Sequence, residues 1–220
     1  MKEGTQEWNS TQYNLHPTPN KGIAGIIERQ RMKEIIQVIK DLKPSPNNCI
    51  IEIGCEGGNL LVELEKVFPN ADIIGVDISR IALGDAMKKT RNSTLMQHDI
   101  TKSPFKINGQ DVIICSEVLE HIPSPNDLKA IQNISKMAGK DSIIIITVPY
   151  ETLKNAAKRF LKVIGLMKIL FPGIEESKSE WHVQDYSRKD ICDKLGKHFE
   201  IIHYENILML HQLIICKVRK

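Results

Sequence analysis

The sequence predicts an α/β fold, a mostly parallel sheet with helices on both faces. Three observations carry this. Short apolar runs alternate with amphipathic ones from residue 49 to residue 148. The runs IIEI, IIGV, VIIC and IIIITV are continuous and β-branched, the pattern of strands covered on both faces, whereas a half-exposed strand alternates apolar with polar. The last two apolar runs are joined by so short a link that they must pair antiparallel.

Residues 1–20 are polar, carry Pro17 and Pro19, and form an N-terminal arm. From Lys21 to Leu42, Ile23, Ile27, Ile35, Val38, Ile39 and Leu42 recur at near-helical spacing, and Pro44 and Pro46 end that helix. Strands are then expected at Cys49–Ile53, Asp72–Val76, Ser93–Gln97, Gln110–Cys115 and Ser142–Val148. Helices are expected at Asn59–Phe68, Arg80–Lys89 and Pro125–Ala138. After Val148 the rhythm changes. A basic helical stretch over 152–171 and a polar loop to Glu180 read as a lid insertion, residues 151–180. A helix near Ser187–Gly196 follows, with Ser187 as its cap, then strands Phe199–Tyr204 and Leu208–Val218 linked by Glu205–Ile207. The whole, residues 1–220, is read as one domain.

At 220 residues and 25.0 kDa the chain suits one well-packed domain. Its 41% hydrophobic and 26% charged residues are those of a soluble globular protein. A net charge of +3 is too small to point to nucleic acid. No stretch resembles a signal peptide or a membrane span of about 18 apolar residues, so the expected location is the cytoplasm. Cys49, Cys55, Cys115, Cys192 and Cys216 form no CxxC pair and are expected to be reduced and structural.

Residues 49–61, CIIEIGCEGGNLL, run from a buried strand through a glycine-rich bend into a helix. Asp77 follows 19 positions after Gly58, at the end of the next apolar run. In a doubly wound sheet, ligands sit outside the carboxyl ends of the strands. Those ends here carry Glu52, Asp77, Asp99 and Glu117. Ionised carboxylates only accept hydrogen bonds. Together they suit a cationic adenosine ligand and would repel a pyrophosphate. Each feature taken alone has a plainer reading: a strand-ending acid can be a helix cap, Asp77 before Ser79 can start a helix, and Gly57-Gly58 can be a tight turn.

The pieces EIGCEGG at 52–58, GVDIS at 75–79, HDI at 98–100 and DVIICSEVLEHIP at 111–123 together resemble the class I S-adenosylmethionine-dependent methyltransferases, in particular the small-molecule type that includes ubiquinone-pathway O-methyltransferases. The resemblance covers residues 20–150 well and the remainder in architecture only. It implies a Rossmann-like sheet and a cofactor set of Glu52, Gly54, Gly58, Asp77, Ile78, Asp99, Ile100 and Ser116. Gly54 and Gly58 would admit the methionine part of S-adenosylmethionine, and Asp77 would hold the ribose hydroxyls. Ile78 would lie against adenine, Asp99 beside Ile100 would accept from the adenine amino group, and Ser116 would lie beside the methionine moiety. Arg31 would reach the cofactor carboxylate. Glu56 departs from the pattern, which has glycine there. Either Glu56 takes a glycine-like backbone conformation under strain, or the loop rearranges and Gly57 makes the turn.

Glu117, Glu120 and His121 would share one face of a helical turn. Two carboxylates and an imidazole could bind a divalent metal, as in some ubiquinone-pathway relatives with a similar ExxEH run. The preferred alternative is that Glu117 serves the cofactor, Glu120 faces water and His121 is structural. His121 is also a candidate base near the methyl acceptor. In the insertion, Leu153, Ala157, Phe160, Ile164, Met167 and Phe171 line one helix face, and Lys154, Lys158 and Lys162 line another. Packing as a lid is favoured over peripheral contact of 152–171 with an anionic membrane surface. RNA contact is least favoured, because no aromatic residues interleave with the charges. His182, between Trp181 and Tyr186, is a second candidate base, and a structural histidine is the equal alternative.

The expected activity is in-line transfer of the S-adenosylmethionine methyl group to a small-molecule or lipid-like acceptor, with oxygen first and carbon or nitrogen next. The alternatives are a nicotinamide-dependent oxidoreductase, disfavoured because GCEGGN lacks the GxGxxG spacing, and a non-catalytic partner or membrane-docking protein of the same fold, which Glu56 keeps open.

Overall fold

The computed structural model describes residues 7, 11, 13–14, 22–42, 49–105, 110–150 and 183–219. Most of the arm, the whole of 151–180 and His182 lie outside the described residues.

Helix α1 spans Gly22–Asp41, followed by β1 (Cys49–Ile53), α2 (Asn59–Val67), β2 (Asp72–Asp77), α3 (Arg80–Lys89), β3 (Thr94–Gln97) and β4 (Gln110–Ser116). A 3-10 turn at Leu119–His121 leads to α4 (Asn126–Met137), β5 (Ile143–Pro149), α5 (Arg188–Leu195), β6 (Phe199–Ile207) and β7 (His211–Val218). The seven strands form one sheet in the order β3-β2-β1-β4-β5-β7-β6. The first five are mutually parallel, and β7 runs antiparallel to both β5 and β6. This is the expected Rossmann-like sheet with its antiparallel C-terminal pair. Ser187 caps α5 through a reciprocal capping box with Asp190. The five cysteines are free thiols.

Side chains alternate between two cores, as the pleat requires. Ile51, Ile113, Ile144, Ile146 and Ile214 pack with Ile131 and Ile134 of α4 and Ile191 and Leu195 of α5. Ile50, Ile114, Ile145, Leu213 and Ile215 pack with Ile35, Ile36 and Ile39 of α1 and Leu60, Leu61 and Leu64 of α2. Every position of β1 and β5 is buried, which is why those strands show no polar alternation in sequence.

One expected boundary is displaced. The link between the last two strands is Leu208–Leu210, not Glu205–Ile207, because β6 runs on to Ile207. Leu208 and Met209 occupy left-handed conformations, φ 50° and 59°, and are exposed. Tight hairpin turns demand positive φ and normally recruit Asn or Gly. An apolar ILML run therefore reads as strand. Among the described residues, no helix is long and apolar enough to cross a membrane.

Candidate active site

The face of the sheet that α1 covers is apolar at its centre and polar at one rim. By the two-residue period of a strand, Glu52 shares a face with Ile50, Ser116 with Ile114, Thr147 with Ile145, and His211 with Leu213. Ser116 pairs with Thr147, and Pro149 pairs with His211, so this rim lies at the carboxyl ends of the parallel strands and the start of β7. Arg31, one turn before Ile35 on the buried face of α1, meets that rim and is only 8% exposed.

Arg31 Nη1 donates to Ser116 Oγ at 2.8 Å and lies 3.6 Å from Glu117 Oε1, while Nη2 pairs with Glu28. Burial works against the guanidinium charge, but the carboxylates of Glu117 and Glu28 more than restore it. Ser116 Oγ also bonds Thr147 Oγ1 at 2.8 Å, and Thr147 Oγ1 lies 3.0 Å from Glu117 Oε1. His211 Nδ1 lies 3.0 Å from Glu117 Oε2. Glu117 itself has φ 55°, an uncommon conformation for a residue with a side chain.

Glu52 is 5% exposed, and burial pushes its carboxyl up to about 8 against the opposing pull of Arg31. Its Oε2, and Nε of Arg31, are buried atoms with no hydrogen-bond partner among the described residues. A buried polar atom without a partner costs about 1–3 kcal/mol.

The glycine-rich bend lies across the same strand ends. Gly54 and Cys55 donate their amides to Val76 O at 2.7 and 3.0 Å, tying the bend to β2. Gly54 has φ +75°, and a Cβ there would lie 2.3 Å from Val118 Cγ2. Gly58 has φ +76° and packs on Ala86 of α3. Glu56 has φ 48°, so it keeps the conformation that glycine favours, and the loop has not rearranged around Gly57. Asp77 staples the bend: Oδ2 accepts from Glu56 N at 2.9 Å and Oδ1 from Ser79 N at 2.7 Å. Burial raises the Asp77 carboxyl, and these amides partly reverse that. Tyr13 of the arm docks beside the bend, its hydroxyl donating to Asp85 at 3.1 Å.

Just beyond the end of β3, Asp99 Oδ1 accepts from Thr101 N and Thr101 Oγ1 at 3.0 and 2.6 Å. Asn133 Nδ2 donates to Ile100 O at 2.7 Å, fixing that backbone from beneath. Ile78 lies between Asp77 and Ser79, its carbonyl accepting from Gln97 Nε2 at 3.1 Å.

Glu117, Glu120 and His121 do not share a helix face. Glu117 precedes a 3-10 turn, and Glu120 within it is fully buried instead of facing water. The Glu120 carbonyl accepts from Val183 N and Gln184 N, so the chain returning to α5 docks there. His121 is half-buried at the end of the turn. Among the described residues, no three His, Cys, Asp or Glu side chains are grouped to hold a metal ion.

The methyltransferase domain family matches residues 27–204. The chain belongs to that family, within the class I S-adenosylmethionine-dependent methyltransferases. It is 32% identical over 120 residues to ubiquinone biosynthesis O-methyltransferase of Methylococcus capsulatus, across 52% of this chain and 47% of that protein. It is 30% identical over 136 residues to the protein of the same name from Actinobacillus pleuropneumoniae, across 58% and 56%. The chain spans about half the length of the curated relatives it matches. Its fold matches magnesium protoporphyrin IX methyltransferase of Synechocystis with bound S-adenosylhomocysteine at a TM-score of 0.70, with 19% identity over 97% of each chain. It also matches the N-methyltransferase NodS of Bradyrhizobium japonicum at 0.59, with 16% identity over 94% and 92%. The cofactor of the family is S-adenosylmethionine.

The strand-end acids were legible from the pattern, but their present partners were not. The linkage from Arg31 through Glu117 to His211 joins residues up to 180 positions apart, and His211 stands in no local motif. The only hint was a histidine opening an apolar run.

Proposed function

We propose that this methyltransferase transfers the methyl group of S-adenosylmethionine to a small-molecule or lipid-like acceptor, with a hydroxyl oxygen favoured. The observation that carries the reading is the pair of unpartnered buried atoms at the rim, Glu52 Oε2 and Arg31 Nε. The methionine end of the cofactor bears one ammonium and one carboxylate, so an acceptor and a donor held side by side fit both. Gly54 and Gly58 let the bend lie close to Val118 and Ala86, where a Cβ would clash or crowd. Asp77 accepts from the backbone amides of Ser79, Glu56 and Ile78, and a carboxylate with about four lone-pair sites keeps one for a ribose hydroxyl. Ile78 and the Asp99–Ile100 backbone are assigned to the adenine, and Ser116 to the methionine moiety. The left-handed Glu56 preserves the bend, which removes the reason for a non-catalytic reading.

When bound, S-adenosylmethionine supplies an already activated methyl group. The residues of the chain then have three tasks: to align the acceptor, to exclude water and to take up its proton. His121 and His182 remain candidates for the last task. The preference for oxygen rests on the likeness to O-methyltransferases. Radiolabelled methyl transfer to matched phenol, aniline and enol acceptors tests it. Labelling of phenols alone supports the reading, and labelling confined to amines or carbon overturns the oxygen preference.

A further inference from the structure

We infer that His211 is a general base of the methyl transfer, held in its working tautomer by Glu117. This rests on the methyltransferase reading and deepens it. Glu117 is an acceptor when ionised, so the 3.0 Å contact with Oε2 puts the imidazole proton on Nδ1 and leaves the lone pair on Nε2. No partner among the described residues occupies Nε2. The carboxylate is fixed from its other side: Thr147 Oγ1 at 3.0 Å and Arg31 Nη1 at 3.6 Å both address Oε1. A base needs an orienting group that is itself oriented, and here Glu117, just past β4, is held by Arg31 of α1 and Thr147 of β5.

The dyad also lies in the right place. Val118, next to Glu117, is the residue against which Gly54 packs, so the carboxylate adjoins the bend assigned to the methionine end. His211 projects from the sheet face that carries Ser116 and Thr147, at the start of β7 beside the carboxyl end of β5, with β5 and β4 between it and β1. It is 6% exposed, so water is largely kept from it. The left-handed φ of 55° at Glu117 is strained for a residue with a side chain, and its carboxylate reaches β7. The charged groups around the imidazole are Glu117, then Arg31 behind it with Glu28 and Glu52.

The step balances as follows. An acceptor hydroxyl gives its proton to His211 Nε2 as its oxygen forms a bond to the sulfonium methyl carbon. The carbon–sulfur bond breaks with its electron pair remaining on sulfur, giving a methyl ether and neutral S-adenosylhomocysteine. The imidazolium, stabilised by Glu117, then loses its proton to water.

The test uses 4-nitrocatechol, a hydroxyl probe whose anion absorbs at longer wavelength than its neutral form. At a pH below the probe's own first pKa, where the free probe is neutral, binding to wild-type protein with S-adenosylhomocysteine should produce the anion band. His211→Asn should abolish the band and lower kcat for methylation of the probe by about 100-fold or more, with the KM for S-adenosylmethionine within about threefold. Glu117→Gln keeps the imidazole but replaces the charged acceptor with a neutral amide, and should fall between the two. The proposal is overturned if His211→Asn retains kcat or the anion band, or if wild-type protein that binds S-adenosylhomocysteine neither ionises nor methylates the probe. Failure of the wild-type protein to bind S-adenosylhomocysteine at all strikes the methyltransferase reading instead, and calorimetry on the same sample separates the two. If His211→Asn misfolds by circular dichroism, the Glu117→Gln comparison decides alone, an unchanged kcat and band overturning the proposal.

Discussion

Asp77 closes the glycine-rich bend onto the second strand by accepting the Glu56 backbone amide at 2.9 Å. One carboxylate thus has two tasks, a structural one toward Glu56 and Ser79 and a proposed one toward the ribose. Asp77→Ala leaves both amides without an acceptor and should cost about 2 kcal/mol of stability together with at least a tenfold loss of S-adenosylhomocysteine affinity. Asp77→Asn keeps one acceptor oxygen and should lie between. Urea denaturation and calorimetric titration read the two effects separately. Unchanged affinity in Asp77→Ala would remove the ribose assignment.

Gly54→Ala combines a left-handed backbone at φ +75° with a Cβ placed 2.3 Å from Val118 Cγ2. The variant should bind S-adenosylhomocysteine at least tenfold more weakly. Adding Val118→Ala relieves the clash but not the backbone strain, so rescue should be partial. Full recovery in the double variant, measured by calorimetry, would show that φ at residue 54 is unimportant.

Glu52 predicts a pH dependence. Its carboxyl lies near 4.5 in the unfolded chain and about 8 in the folded protein. Between those values the folded state holds a proton that the unfolded state has lost. Stability therefore falls as pH rises through this window, by up to about 1.4 kcal/mol per pH unit, and levels off above it. Asp77 shifts in the same direction, burial being the main cause, so the comparison must be with a variant. Glu52→Gln should flatten the curve and be the more stable protein at pH 8. Denaturation midpoints from pH 5 to 9 would show this, and parallel curves for the two proteins would refute it.

Glu56 carries positive φ without glycine's freedom. Glu56→Gly should relieve about 1 kcal/mol of strain, offset by the larger unfolded-state entropy of glycine. The expected net gain is below about 1 kcal/mol, read from urea midpoints. A loss greater than this would contradict the strain assigned to the Glu56 backbone.

Much of the fold was legible because burial on both faces leaves a local mark. Strands β1, β2, β4 and β5 announced themselves as unbroken β-branched runs, and α3 matched its expected span, Arg80–Lys89. The β6–β7 turn was misplaced because Leu208 and Met209 occupy positions whose backbone favours other residue types. Gly54, Gly58 and Asp77 could be placed in a bend because a motif of fixed spacing needs them there. Glu120 could not be placed: whether an acid in a polar stretch is buried depends on Val183 and Gln184, more than 60 positions away. The same holds for Glu52, whose burial under α1 shifts its proton affinity although its sequence neighbours are ordinary strand residues. Side-chain partners across the sheet are a property of topology, and topology is not written in any one window.

Calorimetric titration of the wild-type protein with S-adenosylmethionine, S-adenosylhomocysteine and NAD bears on the central claim most directly. The rim formed by Glu52, Arg31, Asp77 and the glycine-rich bend predicts saturable one-to-one binding of the first two and no binding of the dinucleotide. Binding of NAD, or of neither sulfur-containing nucleoside, would contradict it.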